Sequence, residues 1–150
     1  MARTYLVVVD DSPEVRVALR FAARRAAKTD GTVEVLAIVP PQDFVQWGGV
    51  QAAIEEEQRL RIEASVAASV GEIMDISGIA IVVKEGDPVT VVRAYIGTRE
   101  DIAALVLGAA PSGHPGPVVD NFTGIDAGKL PCPLMIIPGS LSDEQLERLS

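Results

Sequence analysis

Two groups of residues with the chemistry to bind a ligand follow apolar segments of the sequence. Asp10 comes directly after the apolar residues 5–9, and a loop of small residues, GAAPSGHPG at 108–116, follows the apolar residues 102–107. A carboxylate accepts hydrogen bonds, and a flexible glycine-rich backbone can turn its amides toward an anion such as phosphate. Because open α/β sheets bind ligands at the carboxyl ends of their strands, this is where we expect a binding site.

Each of these residues also has a purely structural interpretation. Asp10 is as well placed to cap the following helix as to contact a ligand, and the choice stays open. Ser12 is predicted to be the cap residue of that first helix. A replacement nest for an anion could be formed by Ser112, Gly113, His114 and Gly116. For His114 an exposed loop position is favoured, because a lone histidine has no partner in the sequence.

The sequence shows none of the patterns on which catalysis usually depends. It has one histidine and one cysteine, and it lacks metal-spaced carboxylates, a P-loop lysine motif and a nucleophile elbow. Cys132 lies between two prolines beside an apolar segment, where a small buried hydrophobic role is favoured over a reactive thiol. We therefore predict a protein that is not an enzyme and has no metal site.

Composition and charge narrow the range of partners. The 150 residues suit one domain with a sizeable core, and the net charge of −8 would repel nucleic acid and anionic lipid. A single cysteine excludes an intramolecular disulfide. No apolar run approaches the roughly 20 residues of a membrane helix, and the start, MARTYLVVVDD, lacks the pattern of a signal peptide. These features predict a cytoplasmic protein without nucleic-acid or membrane partners.

Apolar periodicity predicts alternating strands and helices. Apolar runs predict strands at 5–9, 33–39, 79–83, 102–107 and 134–137. Helical spacing predicts helices at about 13–28, 50–76, 88–96, 118–125 and 142–149, with an irregular connection at 42–49 around Trp47. Five strands that alternate with helices indicate an α/β fold, a doubly wound parallel sheet with helices on both faces. The domain is predicted at 1–140, followed by a short helical tail at 141–150.

Two of these helices carry predictions about their apolar faces. In the long helix the apolar stripe is assigned to Leu60, Ala64, Ala67, Gly71 and Met74. In the helix after the glycine-rich loop it is assigned to Val118, Val119, Phe122 and Ile125.

The opening VVVDDSPEV resembles that of a response-regulator receiver domain, in which an acidic pair holds a metal beside a phospho-accepting aspartate. That family also needs an aspartate at the end of its third strand. Here the corresponding residues, 49–54, include no aspartate and fall within a predicted helix. Asp75 comes too late and precedes a strand, so the receiver domain is kept only as a remote alternative.

The chain as a whole resembles the universal stress protein family instead. The matching features occur in order over residues 3–138: Asp10, VEVLAIV with its proline exit, the turn GDP at 86–88, DIAALVLGA and CPLMIIP. The resemblance implies a five-stranded sheet of the adenine nucleotide alpha hydrolase-like type, with strand order 3-2-1-4-5. It also implies a homodimer built along the last strand and, in many members, a bound ATP.

The phosphate segment of the ATP-binding members is only partly present. Those members have a glycine, two residues, a second glycine, nine residues, a third glycine and then serine or threonine. This chain keeps Gly108, but Pro111 takes the place of the second glycine and has no amide to donate. Asp120 and Asn121 take the places of the third glycine and the hydroxyl residue, and the charge of Asp120 opposes a triphosphate.

The nucleoside part of the family site is better preserved. Asp10 matches the acidic residue that such proteins use toward the nucleoside. Ile38 matches the apolar residue whose backbone meets adenine, although a core role is favoured for it. The candidate nucleotide-binding residues are therefore Asp10, Ile38, Gly108, Ser112, Gly113 and Asn121.

These observations predict a non-catalytic stress or regulatory domain whose ATP binding is weakened or lost. The alternative is a sensor that still holds an adenine nucleotide, ATP or AMP with magnesium, through Asp10 and the loop at Gly108. An enzyme that cleaves a phosphate or transfers an adenylate group on the same scaffold ranks last, because fold alone does not settle function.

Overall fold

The computed structural model describes residues 3–39 and 48–150, which contain a five-stranded parallel sheet. Its strands are β1 (Thr4–Val9), β2 (Thr32–Val39), β3 (Ala80–Glu85), β4 (Ile102–Ala109) and β5 (Leu134–Pro138). They lie in the order β3-β2-β1-β4-β5, which confirms the predicted fold class and strand order. The central strand is β1, and the two edges of the sheet are β3 and β5.

The described part of the chain also contains five α-helices. They are α1 (Val15–Thr29), α2 (Gly48–Val70), α3 (Pro88–Gly97), α4 (Pro117–Thr123) and α5 (Asp143–Leu149). Most of the connection predicted at 42–49, with Trp47, lies outside the described residues, and its last two residues already belong to α2. None of these helices is both long and apolar enough to cross a membrane.

The sheet separates two hydrophobic cores. Successive residues of β1 point to opposite faces, so that Tyr5, Val7 and Val9 join one core while Leu6 and Val8 join the other. The first core is covered by α1, α2 and α5, and the second by α3 and α4. Every residue of β1 is buried, as its unbroken apolar sequence predicts for the middle of a parallel sheet.

The apolar stripe predicted for α2 is wrong in its first half, whereas Met74, beyond the end of the helix, does pack against the first core. Leu60 is 56% exposed and Ala64 is exposed, whereas Val66 and Val70 are buried and Ile62 packs against the same core. Burial of a branched aliphatic side chain is worth more free energy than burial of an alanine. The bulky residues spaced four apart therefore decide which face of this alanine-rich helix meets the sheet.

The helix after the glycine-rich loop is shorter than predicted. α4 ends at Thr123, directly before Gly124, so Ile125 lies outside the helix and is 77% exposed. Val118 and Phe122 are buried as expected. Glycine is a poor helix former, and its position explains why the stripe stops one turn early.

The predicted tail forms α5, which packs on its own domain. At its start the Gln145 amide donates to Ser142 Oγ at 3.1 Å, and the Ser142 amide donates to Gln145 Oε1 at 2.9 Å, a reciprocal capping box. Leu146 is fully buried in the core beside α1. Asp143 lies 3.1 Å from Nε of Arg20, a buried arginine of α1. Apolar burial and opposite charges therefore hold α5 onto α1.

A polar network joins the end of α3 to the amino ends of β2 and β4. The Glu34 carboxylate accepts hydrogen bonds from the Tyr95 hydroxyl and from Arg99, whose Nη1 lies 2.8 Å from Glu34 Oε2. Arg99 also donates to Asp101 from Nε and Nη2, both at 2.7 Å. Burial and the hydrogen bond to Glu34 raise the pKa of Tyr95 to about 12. The hydrogen bonds from Arg99 lower the pKa of Asp101 to about 2.

Candidate functional site

The register of the central strands places the first candidate residues. Val9 lies opposite Ala37 of β2, so the residues that follow, Asp10 and Ile38, are neighbours at the carboxyl ends of these two strands. On the other side of β1, Asp10 shares a small space with Gly108 of β4. The structure therefore brings three of the six candidate residues, Asp10, Ile38 and Gly108, to the carboxyl ends of the central strands.

A cleft of about 250 Å³ opens between the ends of β1 and β2 and the middle of α2. Small-molecule sites typically have volumes of roughly 300–1,000 Å³, so this cleft is slightly smaller than that range. Its walls combine carboxylate, amide, guanidinium and aliphatic groups, from Asp10, Asp11, Gln58, Arg61, Ile38 and Ile62 among others. Aliphatic walls with a few polar groups are what a small-molecule site needs to bind and orient a ligand.

The carboxylate of Asp10 is held by the turn that follows it. Its Oδ1 accepts a hydrogen bond from the Ser12 amide at 2.9 Å and another from the Ser12 hydroxyl. The sequence interpretation of Ser12 as a helix cap is wrong, because α1 begins at Val15 and its N-cap residue, Glu14, makes no capping hydrogen bond. Neither does Asp10 cap α1. Within the described residues no group donates to Oδ2 of Asp10, which can accept a hydrogen bond from a ligand.

Ile38 has both of the roles considered for it from the sequence. It is only 8% exposed and belongs to the second core, yet it also contributes to the wall of the cleft. Sequence reasoning missed the opposite wall, which Gln58, Arg61 and Ile62 of α2 provide. The sequence feature that indicates this wall is the row of aliphatic residues four apart, Ile62, Val66 and Val70. This row determines which face of α2 turns toward the sheet.

The space on the other side of β1 is much smaller. It lies between the ends of β1 and β4 and the start of α4, and its volume is about 40 Å³, room for a few water molecules at most. Because Gly108 is the retained glycine of the phosphate segment, this space is the candidate phosphate site. The residues around it include Asp10, Glu14 and Pro115, so two carboxylates and a proline stand where a phosphate site needs donors.

Two backbone amides of the loop after β4 donate hydrogen bonds to other residues of the same loop. The Ala110 amide donates to the Pro115 carbonyl at 3.3 Å, and the Gly116 amide donates to Nδ1 of His114 at 3.4 Å. Pro111 and Pro115 have no amide to offer. Ala110, Pro111, Pro115 and Gly116 therefore offer no free backbone amide to an anion in this structure.

The other candidate residues lie away from both spaces. Ser112 and Gly113 are exposed on the loop and line neither the cleft nor the smaller space. Asn121, on α4, donates from Nδ2 to Asp126 Oδ2 at 2.7 Å, and Arg93 of α3 binds the same oxygen at 2.6 Å. The Asn121 side-chain amide is thus engaged with Asp126, which also binds Arg93 of α3. A role for these three residues in nucleotide binding stays a prediction.

The remaining reactive side chains are dispersed. His114 is exposed as favoured, but it has a partner: its Nε2 lies 3.6 Å from Oδ2 of Asp120, which is also exposed. Burial raises the pKa of the half-buried Cys132 thiol, which agrees with a hydrophobic role. Across residues 3–39 and 48–150, no three histidine, cysteine, aspartate or glutamate side chains are grouped so that they could hold a metal ion.

Fold and site together define a class of protein: a doubly wound α/β domain with a small-ligand cleft beside its central strand and a narrow space at the β1/β4 switch point. The sequence model of the universal stress protein family matches residues 1–138. The chain therefore belongs to the universal stress protein family. This assignment decides against the receiver-domain alternative.

Solved structures of this family share the fold. UspA from Lactobacillus plantarum has a TM-score of 0.62 at 17% identity, over 90% of this chain and 97% of that one. A universal stress protein in complex with cAMP has a TM-score of 0.60 at 14% identity, over 92% and 98% of the two chains. The Archaeoglobus fulgidus protein in complex with dAMP has a TM-score of 0.53 at 16% identity, over 91% and 98%. No curated protein sequence matches this chain.

Proposed function

We propose that this protein is a non-catalytic stress or regulatory domain in which ATP binding is weakened or lost. The observation that carries the proposal is the space of about 40 Å³ at Gly108, which Asp10 and Glu14 border. A triphosphate placed there would meet like charge at short range. It would also lack amide donors at Pro111 and Pro115, where the backbone has none.

A second candidate function is binding of an adenine nucleoside or mononucleotide. The larger cleft favours it, because Asp10 and Ile38 are neighbours there and no group within the described residues donates to Oδ2 of Asp10. Two relatives of the same fold are complexed with cAMP and dAMP, ligands that carry one phosphate each. A ligand with one phosphate needs fewer hydrogen-bond donors in the narrow space at Gly108 than ATP does.

Calorimetric titration of the nucleotide-free protein with ATP and magnesium, AMP and adenosine tests both functions. We expect ATP to bind no more than about threefold tighter than adenosine, since its extra phosphates gain no favourable contacts. ATP affinity about a hundredfold above that of adenosine would overturn the first proposal. No heat from any of the three ligands would leave the first proposal standing and eliminate the second.

Two matched variants identify the site. Asp10→Ala is expected to weaken adenosine and AMP binding by about tenfold or more, because hydrogen bonds to a charged group contribute about 1.5–3 kcal/mol. Glu56→Ala makes the same charge change at an exposed position of α2 outside the cleft, and it is expected to leave both affinities unchanged. Magnesium-dependent ATP turnover that Asp10→Ala abolishes would contradict the non-catalytic assignment.

We also infer a homodimer formed through β5. This strand is an edge of the sheet, and its residues Leu134, Met135 and Ile136 are only half-buried in the single chain. A second copy that pairs along this edge would cover these side chains and satisfy the outward backbone groups. Sedimentation equilibrium would give the mass of two chains if the inference is correct and of one chain if it is not.

A further inference from the structure

The two edges of the sheet differ in how their backbone groups are used. An edge strand turns half of its amides and carbonyls away from its neighbour, and these groups can pair with a strand of another chain. Here the edges are β3 and β5. Whether each edge is open depends on which residues point outward and on what covers them.

The hydrogen bonds at the strand ends identify the outward residues. The Gly86 amide donates to the Val39 carbonyl at 3.1 Å, so residues 84, 82 and 80 also face β2. Ile81 and Val83 of β3 therefore direct their backbone groups outward. At the other edge the Gly139 amide donates to the Ala109 carbonyl at 2.8 Å. By the same alternation, residues 134 and 136 of β5 point outward.

An arginine of α2 covers the β3 edge. Arg59 donates from Nη1 to the outward carbonyl of Ile81 at 2.9 Å, and its side chain is half-buried. Hydrogen bonds from a guanidinium are stronger than those between neutral groups. Within the described residues no side chain donates to the outward carbonyls of Leu134 or Ile136. In this part of the chain β3 is therefore the covered edge, with a side-chain donor at Ile81, and β5 is the open edge, without one.

The covered edge would otherwise favour pairing. Ile81 and Val83 are only partly buried, and Ile76, which shares a groove with Arg59 and Ile81, is 38% exposed. A strand with open backbone groups beside exposed aliphatic side chains is a typical site of edge-to-edge association. Natural proteins often block such strands with a charged residue, and Arg59 is placed to do so.

We propose that Arg59 closes the β3 edge against a second copy of this chain. A strand that paired with β3 would have to displace the guanidinium from the Ile81 carbonyl and leave its charge without that partner. Closure of this edge also limits assembly. If both edges could self-pair, contacts at β5 and β3 would alternate from copy to copy and extend without end.

Sedimentation velocity of the ligand-free protein tests the proposal with Arg59→Met. Methionine keeps much of the aliphatic stem but cannot donate a hydrogen bond. We expect the weight-average mass of this variant to rise at least about twofold with concentration, over a range in which the wild type stays constant. Arg61→Met is the matched control, because Arg61 has the same charge on the same helix but, among residues 3–39 and 48–150, forms its ion pair with Glu57, at 3.4 Å, and not with β3. Its mass should follow that of the wild type.

A second substitution shows whether any association uses β3. Val83→Pro removes the outward amide of Val83, and proline is tolerated on edge strands where the amide faces solvent. We expect the double variant Arg59→Met, Val83→Pro to return to the wild-type mass. If Arg59→Met does not fold, as judged by circular dichroism, Arg59→Leu, which also lacks a donor, replaces it in the same comparison. A folded Arg59 variant with the wild-type mass, or association that Val83→Pro leaves unchanged, overturns the proposal.

Discussion

Gly108 lies so close to Glu14 that a Cβ atom at Gly108 would be 2.6 Å from the Glu14 carbonyl oxygen and 3.2 Å from its Cγ. Gly139 also lies close to Glu14. A Cβ atom added at Gly139 would be 3.0 Å from the Glu14 Cβ and 2.8 Å from the Ala109 carbonyl oxygen. These contacts let the start of α1 pack against the ends of β4 and β5. Gly108 therefore has a packing role in this chain that needs no nucleotide.

Gly108→Ala is expected to destabilise the ligand-free protein. The added methyl group would overlap a backbone oxygen that cannot move freely, and overpacking of this kind costs about 1–3 kcal/mol of the free energy of unfolding. Urea denaturation measures the change. Gly97→Ala is the control, because a Cβ there meets no atom within 4 Å, and its effect should stay within about 0.5 kcal/mol. Equal stabilities of the two variants would show that the close approach is not rigid.

The docking of α5 predicts unequal effects for two leucines on the same helix. Leu146 is fully buried, so Leu146→Ala should lower the free energy of unfolding by about 2–5 kcal/mol. Leu149 is 54% exposed, and Leu149→Ala should change it by no more than about 0.5 kcal/mol. Urea denaturation of the two variants provides the comparison. A small effect for both leucines would mean that α5 is not held on α1 in solution.

The raised pKa of Tyr95 predicts a loss of stability in alkaline solution. In the unfolded chain tyrosine ionises near its usual pKa of about 10, whereas Tyr95 in the folded protein keeps its proton until about pH 12. The contribution of the Tyr95 hydroxyl to the free energy of unfolding is therefore fully present below pH 10 and decreases as the pH rises from 10 to 12. Tyr95→Phe should remove this part of the decrease. Parallel urea denaturation of both proteins from about pH 9 to pH 11 measures it, and identical pH profiles would contradict the prediction.

The sheet could be predicted because strands buried on both faces have unbroken apolar sequences, as at residues 5–9 and 102–107. The buried face of α2 could not be read with the same certainty. The alanines of this helix, at 52, 53, 64, 67 and 68, lie with Leu60 within about half of its circumference. They form an apolar face next to the one formed by Ile62, Val66 and Val70, so two faces have the right spacing. The choice between Leu60 and Val66 depends on the shape of the surface formed by β2, β3 and α1, which sequence does not contain.

The candidate site shows the same division between local and long-range information. Asp10 and Ile38 could be predicted because each lies at the end of a strand, and register alone makes them neighbours. Whether Arg61 lines the cleft depends on how α2 passes the carboxyl ends of β1 and β2, which sequence does not show. The hydrogen bond from Asn121 to Asp126 joins residues five apart, but Arg93 binds the same carboxylate from 33 residues away, and sequence does not show that long-range contact.

The network of Glu34, Tyr95 and Arg99 lies at the amino ends of the strands, opposite the cleft. Mutations that change the shape of the cleft therefore leave these hydrogen bonds and ion pairs intact. The residues of the cleft can change while the fold stays the same. For the same reason, the turns after β1 and β4 are suitable places to graft new recognition loops.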